Sequence, residues 1–274
     1  MILTCYGTAA AEAIPGLYCS CAVCENARAK RGKEIRARHL STVDQDIQFD
    51  IGPDFFHQIN CLGLEPRVIK HLIITHRHSD HLALSALEMR RLPFAAEGAE
   101  PLQIIGSVQT LDFIKRETDD PQNELHLTYT TAEPFKPLLL DEATTLTALP
   151  ARHIWPDGGA MIYLLERKGK KLLYAHDTGL LFPEVTQWFC AQRIDAVSLD
   201  CTGVSHGAGS GHMQLSTCEE TVALLKGSGG LKSNAVCIIN HFSHNGGATH
   251  EQLEQEARQR GWTAAYDGIR IEIC

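Results

Sequence analysis

Residues 75–81 read THRHSDH, so three histidines and an aspartate fall within six consecutive positions, His76 to His81. Imidazoles and a carboxylate at this density are the donors a divalent metal needs. The run follows 68–74 (VIKHLII), β-branched and apolar and therefore read as a strand. It precedes 82–92, where Leu82, Leu84, Leu87 and Met89 suit a helix. In the turn between them an extended backbone sends His76 and His78 to the same side, able to bind one ion together. Asp80 and His81, entering the helix, can face a second ion beside it. A merely solvated histidine-rich turn is the plainer alternative, and the regular interleaving of Arg77, Ser79 and Asp80 argues against it.

The pattern of a strand followed by a donor recurs. After 144–149 (TTLTAL) stands His153, after 171–175 (KLLYA) stand His176 and Asp177, and after 235–239 (AVCII) and Asn240 stands His241. If the strand ends share one edge of a sandwich, these distant residues meet. HxHxDH after an apolar strand resembles the signature of the metallo-β-lactamase fold superfamily, and the resemblance covers most of the chain. It implies an α/β fold, a four-layer αββα sandwich forming one domain over 1–274, in which later strands each deliver one more ligand. On that reading His76, His78 and His153 serve one ion, and Asp80, His81 and His241 the other. Asp177 bridges them, its two oxygens shared between the ions. His176 is read as structural, because adjacent side chains diverge in an extended backbone and the DTG from Asp177 matches the superfamily pattern. Asp50, closing the strand-like stretch through Ile47, Phe49 and Ile51, resembles the superfamily's aspartate that orients ligands by hydrogen bonding. A simple turn residue is its alternative. Two ions of this kind, zinc or manganese with iron also open, would hold hydroxide between them and neutralise a phosphoryl group during in-line displacement. Hydrolysis is the expected reaction.

A second cluster lies near the start. CSCAVC puts Cys19, Cys21 and Cys24 at a CxCxxC spacing on which three thiolates can converge, with no fourth ligand nearby in sequence. Three packing cysteines are the alternative. His244, three residues past His241, is available as the missing partner. Together CSCAVC, THRHSDH, DTG, GHM and NHFSH are similar to the PhnP phosphoribosyl cyclic phosphate phosphodiesterase family. That resemblance implies a dimeric phosphodiesterase with two catalytic metals and a separate structural zinc on Cys19, Cys21, Cys24 and His244. It also implies an active-site acid at His212, which an imidazole held within hydrogen-bond reach of the departing alkoxide can be. Asp80 and His212 are thus the residues on which turnover is expected to depend directly. The stretch FDIGPDFFHQI resembles the related PqqB proteins, so a PqqB-like oxidoreductase stays an alternative. A hydrolase of another ester, such as a thioester or lactone, and a noncatalytic metal-binding protein are others.

The remaining chain must position these groups. Its 274 residues, 44% hydrophobic and 21% charged, suffice for one large core. No apolar run reaches the ~18 residues that span a bilayer, and MILTCYGTAA lacks a basic segment ahead of a long apolar one, so a soluble cytoplasmic protein is expected. The ten cysteines then read as reduced thiols. A net charge of -8 argues against broad nucleic-acid binding and leaves a small anionic phosphodiester as the substrate. Strands are expected at 2–6, 101–105 and 194–199, and a basic helix at 25–38. Ser107 caps a helix through Arg116, Ser216 and Glu219 form a capping box for one through Lys226, and Thr249 and Gln252 for one through Arg260. His126 reads as structural. The glycine-rich loop CTGVSHGAGSGHMQLST, carrying His206 and His212, can move over a substrate, and Asp267-Gly268 reads as a hairpin turn.

Overall fold

The computed structural model describes residues 1–207 and 209–274; Ala208 of the expected glycine-rich loop lies outside the described residues. The strand Lys170–Ala175 carries the logic of the architecture. Leu172 and Tyr174 enter one apolar cluster, Leu173 and Ala175 another, and all four are fully buried. A strand buried on both faces belongs in a sheet covered on both sides.

Two seven-stranded sheets form among the described residues. The first contains β1 (Ile2–Gly7), β2 (Leu40–Val43), β3 (Ile47–Phe49), β4 (His71–Ile73), β5 (Leu102–Gly106), β6 (Leu127–Thr131) and β14 (Ile269–Glu272), in the order β14-β1-β2-β3-β4-β5-β6. The second contains β7 (Pro137–Asp141), β8 (Thr144–Pro150), β9 (Met161–Arg167), β10 (Lys170–Ala175), β11 (Ile194–Asp200), β12 (Leu231–Asn240) and β13 (Thr263–Ala264), in the order β13-β12-β11-β10-β9-β8-β7. Leu3, Phe49 and Ile73 of the first sheet meet Tyr163, Tyr174 and Ile238 of the second, and the rings of Phe49 and Tyr174 stack at 4.0 Å. Burying side chains of this size contributes about 1.5–3 kcal/mol each. Helices cover the outer faces. On the second sheet α1 (Ala22–Lys30), α5 (Pro183–Phe189), α6 (Leu215–Gly227) and α7 (His250–Gln259) contribute Ala27, Phe189, Leu225 and Leu253. On the first, α3 (Leu84–Glu88) and α4 (Val108–Thr118) contribute Leu87, Leu111 and Ile114, while α2 (Phe55–Leu62) packs beside Tyr6 and Leu40. The layers run αββα, as the sequence leads one to expect.

Strand direction decides where donors go. β10, β11, β12 and β13 run parallel, and β8 is antiparallel to β9, which is antiparallel to β10. The carboxyl ends of β8, β10, β11 and β12 therefore share one rim. In the first sheet β3, β4, β5 and β6 are parallel. Thr75 beyond β4 accepts at its carbonyl from Met161 N at 3.0 Å, stitching the ligand loop to the second sheet.

Several expected elements differ. The strand at 68–74 is reduced to β4, because Pro66–Val68 forms a 3-10 turn, and the helix at 82–92 to α3. The basic helix of 25–38 ends at Lys30, where Arg31 and Gly32 take φ of 60° and 56°. The chain then turns inward, and Arg36 is buried, donating to Thr8 Oγ1 and the Ala265 carbonyl at 2.7 Å with its guanidinium 4.5 Å above the Phe242 ring. Helix α6 is capped by Gln214 and Thr217, not by Ser216 and Glu219, whereas Ser107 and the Thr249–Gln252 box cap as expected. Asp267-Gly268 is no hairpin, since β13 and β14 lie in different sheets. The Asp267 carboxylate accepts from Thr8 Oγ1 at 2.7 Å and Ala37 N at 2.5 Å, fastening the crossover. No helix among the described residues is long and apolar enough to cross a membrane.

Candidate metal centre

At the rim, His76, His78 and His153 form one group whose donor atoms converge, and Asp80, His81, Asp177 and His241 a second. His78 Nδ1 lies 2.9 Å from His76 Nε2 and 3.1 Å from His153 Nε2. In the second group His81 Nε2 lies 2.6 Å from Asp177 Oδ2, 3.2 Å from Asp80 Oδ2 and 3.3 Å from His241 Nε2. Nitrogens about 2.05 Å from a common ion would be separated by roughly 2.9 to 3.4 Å, and the histidine–histidine spacings of both sets fall in that range. Asp177 joins them: its Oδ2 is also 3.3 Å from His76 Nε2. The sharing differs from the expected one, because a single oxygen faces both sets while Oδ1 turns toward His212 Nδ1 at 3.2 Å. That Oδ1 is buried and makes no well-aligned hydrogen bond among the described residues, with His212 Nδ1 and His241 Nδ1 at 3.2 and 3.5 Å.

The far nitrogens of these rings are fixed by the surrounding shell. His81 Nδ1 lies 2.7 Å from Asp50 Oδ2, and Asp50 also accepts from Thr75 N at 2.8 Å, so this buried aspartate orients rather than merely turns the chain. The Thr202 hydroxyl donates to the His241 carbonyl at 2.8 Å and meets His241 Nδ1 at 2.9 Å. His76 Nδ1 lies 3.1 Å from Thr75 Oγ1, and His153 Nδ1 3.3 Å from the Gly211 carbonyl. Donation from each leaves the opposite nitrogen's lone pair directed inward. Asp50, Asp177 and His241 have φ of 61°, 49° and 59°. Non-glycine residues in the left-handed region cost about 1–3 kcal/mol each and gather where geometry serves function.

The charges divide the site. Burial holds the pKa of His76 well below the usual histidine range, helped by neighbouring His81, and burial lowers that of His153 as well. Burial also opposes charge on His81, but the carboxylates of Asp177 and Asp50 outweigh it and hold its pKa well above the usual range. For Asp177, burial is likewise overcome by His241 and His81, which keep the carboxyl ionised, and Asp80 is kept ionised against burial by His81. The second set thus draws positive charge into a buried position.

His212 sits over this centre with Nδ1 3.0 Å from Asp200 Oδ2 and its ring 5.0 Å from that of His153. Burial works against its charge, yet Asp177 and Asp200 raise its pKa to about 10. Asp177, Asp200, His212 and His241 make a further convergent group, and Asp200 also accepts from Thr202 N and Met213 N at 2.9 and 3.1 Å. Asp200 carries the signature of Asp50 and Asp177, a carboxylate closing an apolar strand, so a uniform use of that signal finds it. Thr202 and His39 have no such signal. His176, read as structural, is buried with Nε2 2.7 Å from Ser198 Oγ and Nδ1 2.9 Å from His39 Nε2. The His126 ring meets the Ala99 carbonyl at 2.8 Å and belongs to none of the convergent donor groups among the described residues.

Cys19, Cys21, Cys24 and His244 form a separate convergent group. Cys19 and Cys21 Sγ lie 3.6 and 3.7 Å from His244 Nδ1, against roughly 3.6 Å for sulfur and nitrogen on one tetrahedral zinc. Backbone N–H groups of Cys21 and Gly16 point at Cys19 Sγ and Cys24 Sγ at 3.4 and 3.3 Å, and Arg28 donates to the Cys19 and Gly16 carbonyls. Burial opposes the Cys21 thiolate, but the Cys24 N–H and the neighbouring sulfurs bring its pKa down to about 7.

Comparison with known proteins agrees with this geometry. A ribonuclease Z of Latilactobacillus sakei subsp. sakei (strain 23K) is 33% identical over 103 residues, 38% of this chain and 32% of its own length, so the match spans about a third of that relative. Among solved structures, zinc-bound PqqB from Methylobacterium extorquens superposes with a TM-score of 0.74 at 17% identity, covering 99% of this chain and 100% of that one. A diphosphatase of the PhnP family gives 0.74 at 20% identity, covering 98% and 96%. These two likenesses are of fold. The family model described as "Beta-lactamase superfamily domain" matches residues 45–241, a span running from the turn before Asp50 to His241 itself, and the chain belongs to that family.

Proposed function

We propose that this protein is a binuclear phosphodiesterase that hydrolyses a small diester of the cyclic ribose phosphate or cyclic nucleotide kind. It would use two divalent ions, zinc or manganese, at the Asp177 centre and a structural zinc on Cys19, Cys21, Cys24 and His244. The observation that carries the reading is Asp177 Oδ2, within 3.3 Å of His76 Nε2 and 2.6 Å of His81 Nε2, which gives two donor sets one common oxygen. When bound, a cation pair supplies the Lewis acidity that activates water and offsets phosphoryl charge. His76, His78 and His153 would hold one ion; Asp80, His81 and His241 the other. Asp50 and Thr202 keep the rings in the metal-accepting tautomer. The names of a diphosphatase and a ribonuclease among the similar proteins support cleavage of a phosphate linkage.

His212 is the proton donor in this reading. Asp200 holds Nδ1, and Nε2 makes no hydrogen bond among the described residues, so a proton there is free to pass to a departing oxygen. His212→Gln is expected to lower kcat about 10²- to 10⁴-fold for alkoxide leaving groups. The loss should be far smaller for p-nitrophenyl esters, whose leaving group needs no proton. Equal losses on both would reduce His212 to a structural part. The function itself is tested by reconstituting the protein with zinc or manganese and screening cyclic and linear phosphodiesters beside thioesters and lactones. Turnover of the phosphodiesters is expected; turnover confined to thioesters or lactones, or oxygen consumption with bound iron, would overturn the reading.

A further inference from the structure

We propose that the cleft beside His78 is a nucleoside pocket, so that the diester cleaved carries an aromatic base; this rests on the phosphodiester reading above. The cleft, about 570 Å³, is lined by Arg77, His78, Phe113, Trp155 and Asp157. Pockets of roughly 300–1,000 Å³ hold small organic ligands. Its walls are continuous with the metal centre: Arg77 stands between His76 and His78, and the wall at 154–158 follows His153 directly.

The wall at 154–158 is built rather than loose. Gly158 N donates to the Ile154 carbonyl at 2.6 Å, and Gln109 Nε2 on α4 donates to the Pro156 carbonyl at 3.3 Å. A Cβ at Gly158 would stand 2.3 Å from Ile154 Cδ1 and 2.7 Å from its Cβ, so a larger residue there would have to displace the Ile154 side chain from this wall. Trp155 is anchored against the inter-sheet core, and Phe113 against the core beneath α4.

The chemistry of the lining selects the occupant. Arg77 is exposed and makes no ion pair or hydrogen bond among the described residues, in a protein of net charge -8. A guanidinium left open beside His78 suits a phosphate oxygen, which it can grip with two parallel hydrogen bonds. The half-buried Trp155 indole offers a flat ring its exposed surface to stack on, and Phe113, whose ring already lies 5.5 Å from the Arg116 guanidinium, adds an apolar wall. Asp157, exposed and likewise unpaired among the described residues, can only accept when ionised, which fits a sugar hydroxyl or a base amine. A ribose phosphate without a base would leave the exposed part of the Trp155 indole against water. Cation, aromatic pair and carboxylate together match one nucleotide.

Two esters with the same leaving group test this: thymidine 5′-(p-nitrophenyl phosphate) and methyl p-nitrophenyl phosphate. The metal-loaded wild type is expected to favour the thymidine ester in kcat/KM by about 10- to 100-fold, the range of one stacked base. Trp155→Ala should erase most of that preference through KM, and Arg77→Gln should raise KM for the thymidine ester, with Arg77→Lys recovering part. No preference in the wild type, or equal losses on both esters in Trp155→Ala, overturns the pocket. Should neither ester be cleaved, the phosphodiesterase reading is decided by the screen of cyclic and linear diesters above, and the pocket is judged by AMP titrated against tryptophan fluorescence. Saturable binding that Trp155→Ala abolishes upholds it, and no saturable binding overturns it.

Discussion

Asp177→Asn is expected to lower kcat by about 10³-fold or more while the protein stays folded. Losing one preorganised electrostatic group costs about 10²–10³, and Asp177 serves both donor sets through Oδ2. Asparagine is the informative replacement because φ is 49° at this position, a conformation that Asn adopts more readily than alanine. The backbone should therefore hold, and the change is confined to the charge. With it goes part of the support for positive charge on His81, which Asp50 and Asp80 would then supply. Metal analysis should find at least one catalytic ion per chain missing, with a thermal melt close to wild type. Wild-type turnover together with full metal content would end the claim that Asp177 joins two sites.

The second large effect is on stability. Cys21→Ser is expected to remove one tightly held zinc per chain and lower Tm by on the order of 10 °C, equivalent to roughly 3–5 kcal/mol for a domain of this size. Turnover should fall much less, by under about tenfold. Although His244 stands three residues from His241, the intervening Phe242 is independently clamped, its N–H donating to the Thr8 carbonyl and its carbonyl accepting from Ala10 N, both at 2.9 Å. The cation of Arg36 above the Phe242 ring adds to that clamp. Unchanged metal content would dispose of the zinc site, and a collapse of kcat with an unaltered melt would make it catalytic instead of structural.

The legible parts of this chain are those where chemistry is written locally. Three histidines and an aspartate in THRHSDH declare themselves, and so do Cys19, Cys21 and Cys24, because their donors are neighbours in sequence. The αββα layering was implied by the resemblance that THRHSDH carries, and the structure supplies its physical reason: β4 and β10 are apolar on both faces and are covered twice. Element ends were read less well where tertiary contacts override propensity: 25–38 has helical composition, yet Arg36 is drawn inward by Thr8, Ala265 and His250. The roles of Asp200 and Thr202 depend on which ring nitrogen each meets, and no spacing encodes that.

By itself the amino-acid sequence determined the donor types and their order along strands, because periodicity and side-chain chemistry are local properties, while the sandwich that could gather them was implied by the resemblance of its motifs. Only the tertiary structure decided that one oxygen of Asp177 faces both sets, that Asp200 rather than a loop orients His212, and that Asp267 fastens a crossover between sheets instead of a hairpin. Those outcomes turn on fractions of an ångström between residues from 12 to 259 positions apart, set by strand direction, register and left-handed backbone at three strand ends.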